Sequence, residues 1–262
     1  MDKSKRNRII IITAVAAVIL LVLAVIAGST PKTESVSEAI RDAVLHNENR
    51  IPFLGLAINP SLASAFIVTG IILVFALLIR IFVIPKFTMV PGKLQLLLET
   101  WVGAFKGMAE GSSPHRNKFL GAYIFGVGSF IFLGTLFELL GVQLPTTRGG
   151  IISLPAPMAD INGAICMAIV SYLVIMSGGI AGCGAKGILN TLKEFSLPFS
   201  LCFRLFGALL SGLLVTELVY YNISLSILLP VAVGIVFTLL HAIIQAYVLT
   251  MLTALFYGEV SE

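Results

Sequence analysis

The amino-acid composition predicts an all-α membrane protein. Of the 262 residues, 58% are hydrophobic and 11% are charged, and the mean hydropathy is +1.02. A soluble domain carries about 25% charged residues, so this chain has too few charges to cover a globule in water. Six apolar runs approach or exceed the roughly 20 residues with which a helix crosses a bilayer. The predicted spans cover residues 9–27, 62–84, 119–141, 161–182, 195–221 and 231–257.

The first predicted span follows a basic tail and ends at small residues, as a cleaved secretory signal also would. Its apolar run is longer than the usual signal core of about 7–15 residues. We therefore interpret residues 1–28 as a basic tail with a retained transmembrane helix, with cleavage as the alternative. Residues 29–61 are predicted to form an extracytoplasmic loop with a short helix near 35–47. Residues 62–262 are predicted to form the functional core.

The distribution of Lys and Arg predicts the orientation of the spans. If the N-terminal tail is cytoplasmic, the alternate loops on that side hold twelve Lys and Arg, against four on the other side. Cytoplasmic loops are the basic ones, so six spans with both ends in the cytoplasm are predicted. The connections at 142–160 and 183–194 are predicted to be loops, and a short break is predicted at 222–230.

Residues 91–111 are too polar to cross a membrane, yet their apolar residues recur with helical spacing. This pattern predicts an amphipathic helix that lies on the membrane surface or on a partner. The positions of its predicted apolar face are Leu94, Leu97, Leu98, Trp101, Phe105 and Met108.

Motifs for nucleotide, metal or nucleic-acid binding are weak or missing in the sequence. Residues 182–187 match G-x-G-x-x-G by letters, but a dinucleotide site requires a preceding strand, and here a membrane span precedes the glycines. The three cysteines lie at unrelated spacings and predict no zinc site. The net charge of +4 is concentrated beside apolar runs, which is typical of membrane orientation rather than nucleic-acid binding. We expect no cofactor, no metal and no enzymatic activity of the chain alone.

The most informative stretch is 195–221, because it places Arg204 well inside an apolar run and Glu217 further along. An arginine in hydrocarbon costs roughly 2.5–3.5 kcal/mol on insertion scales, which favours a functional charge. The alternative is a structural arginine that extends to the interface. Gly207, Ser211 and Gly212 share its helix face, and small residues permit another helix to approach closely.

The last predicted span carries a polar stripe. His241 and Gln245 are four residues apart and project from one helix face, and Thr238 precedes them by about one turn. A polar stripe in a span faces protein or water rather than lipid. Both a functional site and an ordinary hydrogen-bonded helix contact fit this pattern.

Two segments carry a family resemblance: L-P-F-S-L-C-F-R-L-F-G (197–207) and H-A-I-I-Q-A-Y-V-L-T-M-L-T (241–253). Together they resemble subunit a of the F-type ATP synthase membrane sector. Three further stretches are similar to that family in the same order: 90–99, 137–141 and 158–162. The resemblance covers about residues 50–258. It implies a five-helix core with long, tilted last two helices, to which the N-terminal span is an addition.

The resemblance implies an ion-translocating stator subunit with two half-channels that do not meet. A ring of c subunits carries protons, or sodium ions in some members, between them on a carboxylate. By resemblance Arg204 faces that carboxylate and Gln245 is its polar partner. The other implied partners are b-type peripheral stalk subunits and the lipid bilayer of a bacterial plasma membrane. Residues that we expect to line the half-channels are Ser211, Thr238, Glu138, Asp160 and Asn162.

The sequence departs from the family pattern at three positions. Ala208 stands where members commonly have Asn, and Leu213 stands where they often have an acidic residue. Thr238 occupies the usual position of a histidine or an acidic residue. We expect Glu217 and His241, each about one turn away, to replace the missing groups in the outer half-channel.

Two other functions fit a polytopic protein with an intramembrane arginine. A secondary transporter could bind an anionic substrate at Arg204, but such folds are built from inverted repeats, and none is visible in the sequence. A scaffold that packs other membrane proteins would tolerate the loss of Arg204.

Overall fold

The computed structural model of the chain describes residues 51–53, 56–115, 117–145, 151–221 and 229–261. The predicted first span, the 35–47 helix and most of the break at 222–230 lie outside these ranges. Seven α-helices are present in the described part. They are α1 (Pro60–Leu78), α2 (Lys93–Ser112), α3 (Asn117–Leu139), α4 (Ile161–Cys183), α5 (Ala185–Lys193), α6 (Ser196–Tyr221) and α7 (Leu229–Ser261).

Four described helical segments are long and apolar enough to cross a membrane: Pro60–Lys86, Lys118–Leu139, Ile161–Cys183 and Ile235–Ser261. A fifth is counted if Ala185–Lys193 and Ser196–Gly212, which meet at 51°, form one bent span. This agrees with the predicted all-α membrane protein and with the five predicted spans that fall in the described ranges.

Helix α7 is the centre of the bundle. It packs against α3, α4 and α6, and also against α2 and α5. Its 33 residues correspond to about 50 Å of helix, more than the roughly 30 Å hydrocarbon core of a bilayer. The main core lies around α7 and includes Leu120, Ile124, Leu201, Leu205 and Leu249.

Helix α1 lies at the edge of the bundle and contacts α3 and the 3-10 turn Pro157–Ala159. It begins at Pro60, with Asn59 as its N-cap, because proline is well suited to the first helical position. The helix continues through a π-helical turn, Ile79–Val83, and a 3-10 turn, Ile84–Lys86. Pro85 in that last turn lacks an amide donor, so the α-helical pattern cannot continue through it.

The connections before α1 and between α3 and α4 are more ordered than the sequence suggests. The sequence predicts a loop to residue 61, but β1 (Ile51–Phe53) pairs with β2 (Leu56–Ile58) in an antiparallel hairpin. The loop predicted at 142–160 likewise contains a second hairpin, β3 (Gln143–Pro145) and β4 (Ile151–Ser153). Apolar residues from both connections pack in a second small core, formed by Ile51, Ala63, Val68, Phe137 and Leu154. The segment predicted as a loop at 142–160 therefore contains paired strands, while the extracytoplasmic position of 29–61 stays a prediction.

The loop predicted at 183–194 is also wrong, because α5 occupies Ala185–Lys193. The glycines suggested a flexible connection, but the break between α4 and α5 is confined to Gly184, which has a φ of 60°. Gly187 and Thr191 are buried against α4, and tertiary packing therefore stabilises the short helix. In addition, α7 already includes Leu229 and Pro230, so the predicted break ends earlier than residue 230.

Helix α2 occupies the predicted amphipathic segment, and part of its apolar face packs within the bundle. Phe105 is buried, and the Trp101 indole Nε1 donates to the Ser129 hydroxyl at 3.0 Å. In contrast, Leu94 and Leu97 are exposed. The exposed leucines leave the predicted contact with a membrane surface or a partner as a prediction.

Candidate intramembrane site on helices α6 and α7

Arg204 lies on the exposed side of α6, within the apolar run of that helix. The buried side of the same helix carries Leu197, Leu201 and Leu205. The exposed side carries Phe203, which is 66% exposed, together with Gly207 and Ser211. Among the described residues, no carboxylate oxygen lies within 4 Å of the Arg204 guanidinium. The salt bridge that the described residues form joins Lys106 to Glu110 on α2.

Small residues leave the surface beside Arg204 open. Gly207 is one turn further along α6, and a methyl group added to it would meet no described atom within 4 Å. Ser211 is exposed, and its hydroxyl donates to the Ala208 carbonyl oxygen at 2.7 Å within the helix. The Arg204 face is therefore shallow and smooth, as the sequence predicts for a surface that another helix approaches.

The helix contacts of α7 place Arg204 far from the ends of the bundle. A Cβ built on Gly212 would lie 3.8 Å from the His241 ring, so α6 and α7 meet there. Because the two helices are antiparallel and helices rise about 1.5 Å per residue, Arg204 lies near the level of Leu249. Helix α7 continues about 18 Å beyond that level to Ser261.

His241 is held on α7 by its own helix and by α6. Its Nδ1 donates to the Phe237 carbonyl oxygen at 2.7 Å, and its ring stacks on that of Phe237 with centroids 6.0 Å apart. A donor at Nδ1 leaves Nε2 as the nitrogen that can accept or exchange a proton. The imidazole lies against α6 at Gly212, where a methyl group would still sit at an ordinary 3.8 Å and only a larger side chain would displace the ring.

Gln245 lies one turn from His241, on the side toward the Arg204 level. Its side chain is only 4% exposed, and Ala242, Ala246 and Leu249 around it on α7 are also buried. Gln245 therefore faces the protein interior, and Thr238, one turn before His241, is half-buried. Along the helix axis Gln245 is about 6 Å from His241 and about 6 Å from the Arg204 level.

Other candidates lie at the level of His241. The Cγ2 of Thr250 lies beside Gly128 of α3, and the Tyr257 ring lies beside Gly178 of α4. The helical rise per residue, applied along α3 and α4 from these two contacts, places the half-buried Glu138 and the exposed Asn162 at about the same height as His241. We call this part of the molecule the Asp160 end of the bundle. Several of the polar side chains that the sequence predicts to line the half-channels therefore share this level.

Asp160 itself joins the starts of two helices. Its Oδ1 accepts from the Asn162 backbone N at 2.8 Å and from the Asn162 Nδ2 at 3.0 Å, so it is the N-cap of α4. Its Oδ2 accepts a hydrogen bond from Asn59 Nδ2. Asn59 in turn caps α1, since its Oδ1 accepts from the Ser61 N at 3.1 Å. Sequence reasoning missed Asn59, although an Asn directly before Pro at a helix start is a recognisable cap pattern.

Two further points concern Glu217 and metal binding. The side chain of Glu217 lies outside the described part of α6, so its predicted role stays a prediction. Within the described residues, no group of three His, Cys, Asp or Glu side chains could hold a metal ion.

The described fold defines a class: a multi-pass α-helical membrane protein, here with a charged residue inside an apolar run of α6. The sequence profile of the ATP synthase A chain family matches residues 62–258. The chain therefore belongs to this family, the ion-translocating subunit a of the F-type ATP synthase membrane sector.

Characterised relatives agree with the family match. The ATP synthase subunit a of Mycobacterium marinum is 26% identical over 227 residues, which are 80% of this chain and 90% of the relative. That of Beijerinckia indica is 25% identical over 237 residues, 82% and 92% of the two chains. That of Mycobacterium bovis is 25% identical over 226 residues, 80% and 90% of the two chains.

Proposed function

We propose that the chain forms two offset half-channels beside a ring of c subunits, and that Arg204 faces the ion-carrying carboxylate of that ring. The observation that carries the proposal is the exposed guanidinium on the open face of α6, without a carboxylate nearby among the described residues. A charge in hydrocarbon is costly, so a partner carboxylate from another chain is the simplest source of compensation.

An arginine is suited to this position because its guanidinium keeps its charge when it is desolvated, whereas a buried lysine can lose it. A permanent cation at the ring surface favours an ionised carboxylate and repels a passing proton. It therefore blocks a direct leak between the two half-channels. The pair must also separate at every step of rotation.

The energies of binding and release are comparable. Two unit charges 4 Å apart attract each other by about 4 kcal/mol at an effective dielectric of 20. One charge that crosses 100 mV supplies about 2.3 kcal/mol. A hydrated, transient pair can therefore turn over, whereas a dry and permanent pair would stop the ring.

The outer half-channel is assigned to the Asp160 end of the bundle. His241 presents Nε2 there, and Glu138 and Asn162 lie at a similar height. Gln245 then lies between this level and Arg204. Glu217, Ser211, Thr238 and Asp160 complete the proposed set of lining residues.

The proposed setting is a bacterial plasma membrane with both chain ends in the cytoplasm. In it, residues 1–28 form an additional membrane helix and residues 29–61 an extracytoplasmic connection before the core at 62–262. The partners are the c-ring, b-type peripheral stalk subunits and the bilayer. The transported ion is a proton, with sodium as the alternative. The chain binds no nucleotide and is not an enzyme on its own.

The test is ATP-driven ion pumping in inverted membrane vesicles, measured together with passive ion leak. The Arg204→Ala variant should lose coupled pumping while the other subunits remain assembled. Arg80→Ala is the matched control, because Arg80 is an exposed arginine in the π-helical turn that follows α1. Unchanged pumping in Arg204→Ala would refute the proposed role and favour a scaffold or a purely structural arginine.

A further inference from the structure

The C-terminal end of α7 is held in a narrow slot, which we call the C-terminal slot. Ser112 at the end of α2 forms one wall, and Gly178 and Gly182 of α4 form the other. Inside it, Tyr257, Val260 and Ser261 are almost fully buried. The Ser113 and Ser261 hydroxyl oxygens lie 3.5 Å apart across the slot.

Backbone groups approach each other directly in this slot. A methyl group added to Gly182 would overlap the Ser261 carbonyl oxygen, and one added to Gly258 would overlap the Ser112 carbonyl oxygen. A methyl group on Gly178 would lie 2.5 Å from the Tyr257 ring. Non-bonded carbon atoms prefer separations of about 3.5–4.0 Å. An added methyl group would therefore push α7 away from α2 or α4 by about 1 Å or more.

A displacement at the slot is transmitted to the proposed site because α7 is one uninterrupted helix from Leu229 to Ser261. Gln245 lies about 20 Å from Gly258 along this helix. Helix α7 has no proline after Pro230 that could absorb a shift. The contact of α7 with α6 allows more room, since a Cβ on Gly212 would meet the His241 ring at an ordinary 3.8 Å.

We propose that Gly182 and Gly258 are positioning residues, which set the axial and rotational register of α7 and so the placement of His241 and Gln245 opposite α6. They act through α7 and do not contact the ion path. This inference rests on the proposed function for its consequence in ion transport, but the register itself can be measured independently.

The first measurement is the rate of disulfide formation between cysteines introduced by Gly212→Cys and His241→Cys. The background replaces Cys166, Cys183 and Cys202 with serine, so that no other thiol reacts. We expect Gly182→Ala and Gly258→Ala each to slow this cross-link by about tenfold or more. Gly126→Ala on α3 is the matched control, because a methyl group there would meet nothing within 4 Å, and it should leave the rate unchanged.

The second measurement is coupled ion pumping in otherwise unaltered complexes that retain His241. Gly182→Ala and Gly258→Ala should lower pumping by about tenfold or more, since displacements of about 1 Å at a reacting site can cost about a hundredfold, whereas Gly126→Ala should not. Rates of cross-linking and pumping equal to those of the control would overturn the proposal. Slow cross-linking with normal pumping would also overturn it, because the register would then not matter to transport.

If Gly182→Ala and Gly258→Ala fail to accumulate in the membrane, the pair Gly178→Ala and Gly178→Ala/Tyr257→Ala replaces them. The single variant should slow cross-linking, and the removal of the Tyr257 ring should restore the rate. Failure to restore it would count against a register set by the slot. If Arg204 proves irrelevant to pumping, the proposed function fails, but the cross-linking result still tests the register.

Discussion

The bridge between Asn59 and Asp160 permits a sharp test of whether Asp160 is structural or conducts ions. Asp160→Ala removes both acceptor oxygens. One caps α4 through the Asn162 N at 2.8 Å, and the other accepts from Asn59 Nδ2. Asp160→Asn keeps an oxygen for the cap but turns an amide nitrogen toward Asn59 Nδ2. Two donors then face each other, so only the bridge between the helices is lost.

The expected losses follow from these contacts. A helix N-cap contributes about 0.5–2 kcal/mol, and a hydrogen bond to a charged group contributes about 1.5–3 kcal/mol. Asp160→Ala should therefore lower the free energy of unfolding by about 2–5 kcal/mol, and Asp160→Asn by about 1.5–3 kcal/mol. The exchange variant Asn59→Asp/Asp160→Asn restores a donor opposite an acceptor and keeps both caps. It should recover most of the lost stability.

The assay is unfolding of the purified chain in detergent with increasing denaturant, paired with ion pumping in vesicles. Equal stability of Asp160→Ala and the unaltered chain would refute the structural role, as would an exchange variant no more stable than Asp160→Asn. The exchange also moves the carboxylate to position 59. If Asp160 lines the ion path, stability should return while pumping does not.

Substitutions at two further contacts test the packing of α7 and α2. Gly212→Ala should leave pumping nearly unchanged, because its Cβ would meet the His241 ring at an ordinary 3.8 Å. In contrast, Gly212→Leu should displace the ring and lower pumping about tenfold or more. Equal pumping by the two variants would contradict this contact. Trp101→Phe removes the 3.0 Å hydrogen bond to the Ser129 hydroxyl and should lower the free energy of unfolding by about 1 kcal/mol, measured by denaturant titration in detergent. Ser129→Ala should cost a similar amount, and additive losses in the double variant would show that the two groups do not interact.

Much of the fold follows directly from the pattern of apolar residues. Runs of about 20 apolar residues must satisfy their backbone groups internally in lipid, and a helix does so within one segment. The predicted spans at 62–84, 119–141 and 161–182 therefore agree closely with the helical segments. Arg204 could be singled out in the same way, because a charge inside an apolar run is visible without knowledge of its neighbours.

The connections could not be predicted in this way because their structure depends on contacts distant in sequence. Ile51 and Leu154 belong to segments that look like polar loops, yet they pack with Phe137 in one small core. The glycines at and before the start of helix α5 suggest a flexible loop, but burial of Gly187 and Thr191 against α4 stabilises the helix. Asn59 and Asp160 are 101 residues apart, and no local pattern predicts their pairing.

The sequence by itself determined the all-helical membrane architecture, the position of Arg204 inside an apolar run, and the polar stripe of His241 and Gln245. These are properties of single helices, and helical periodicity is enough to read them. Only the tertiary structure decided that Gln245 is buried while Arg204 is exposed, and that the His241 ring lies against α6 at Gly212. Which side of a transmembrane helix faces a neighbour depends on the packing of all the helices together, because lipid and apolar side chains are nearly equivalent surroundings for an apolar face.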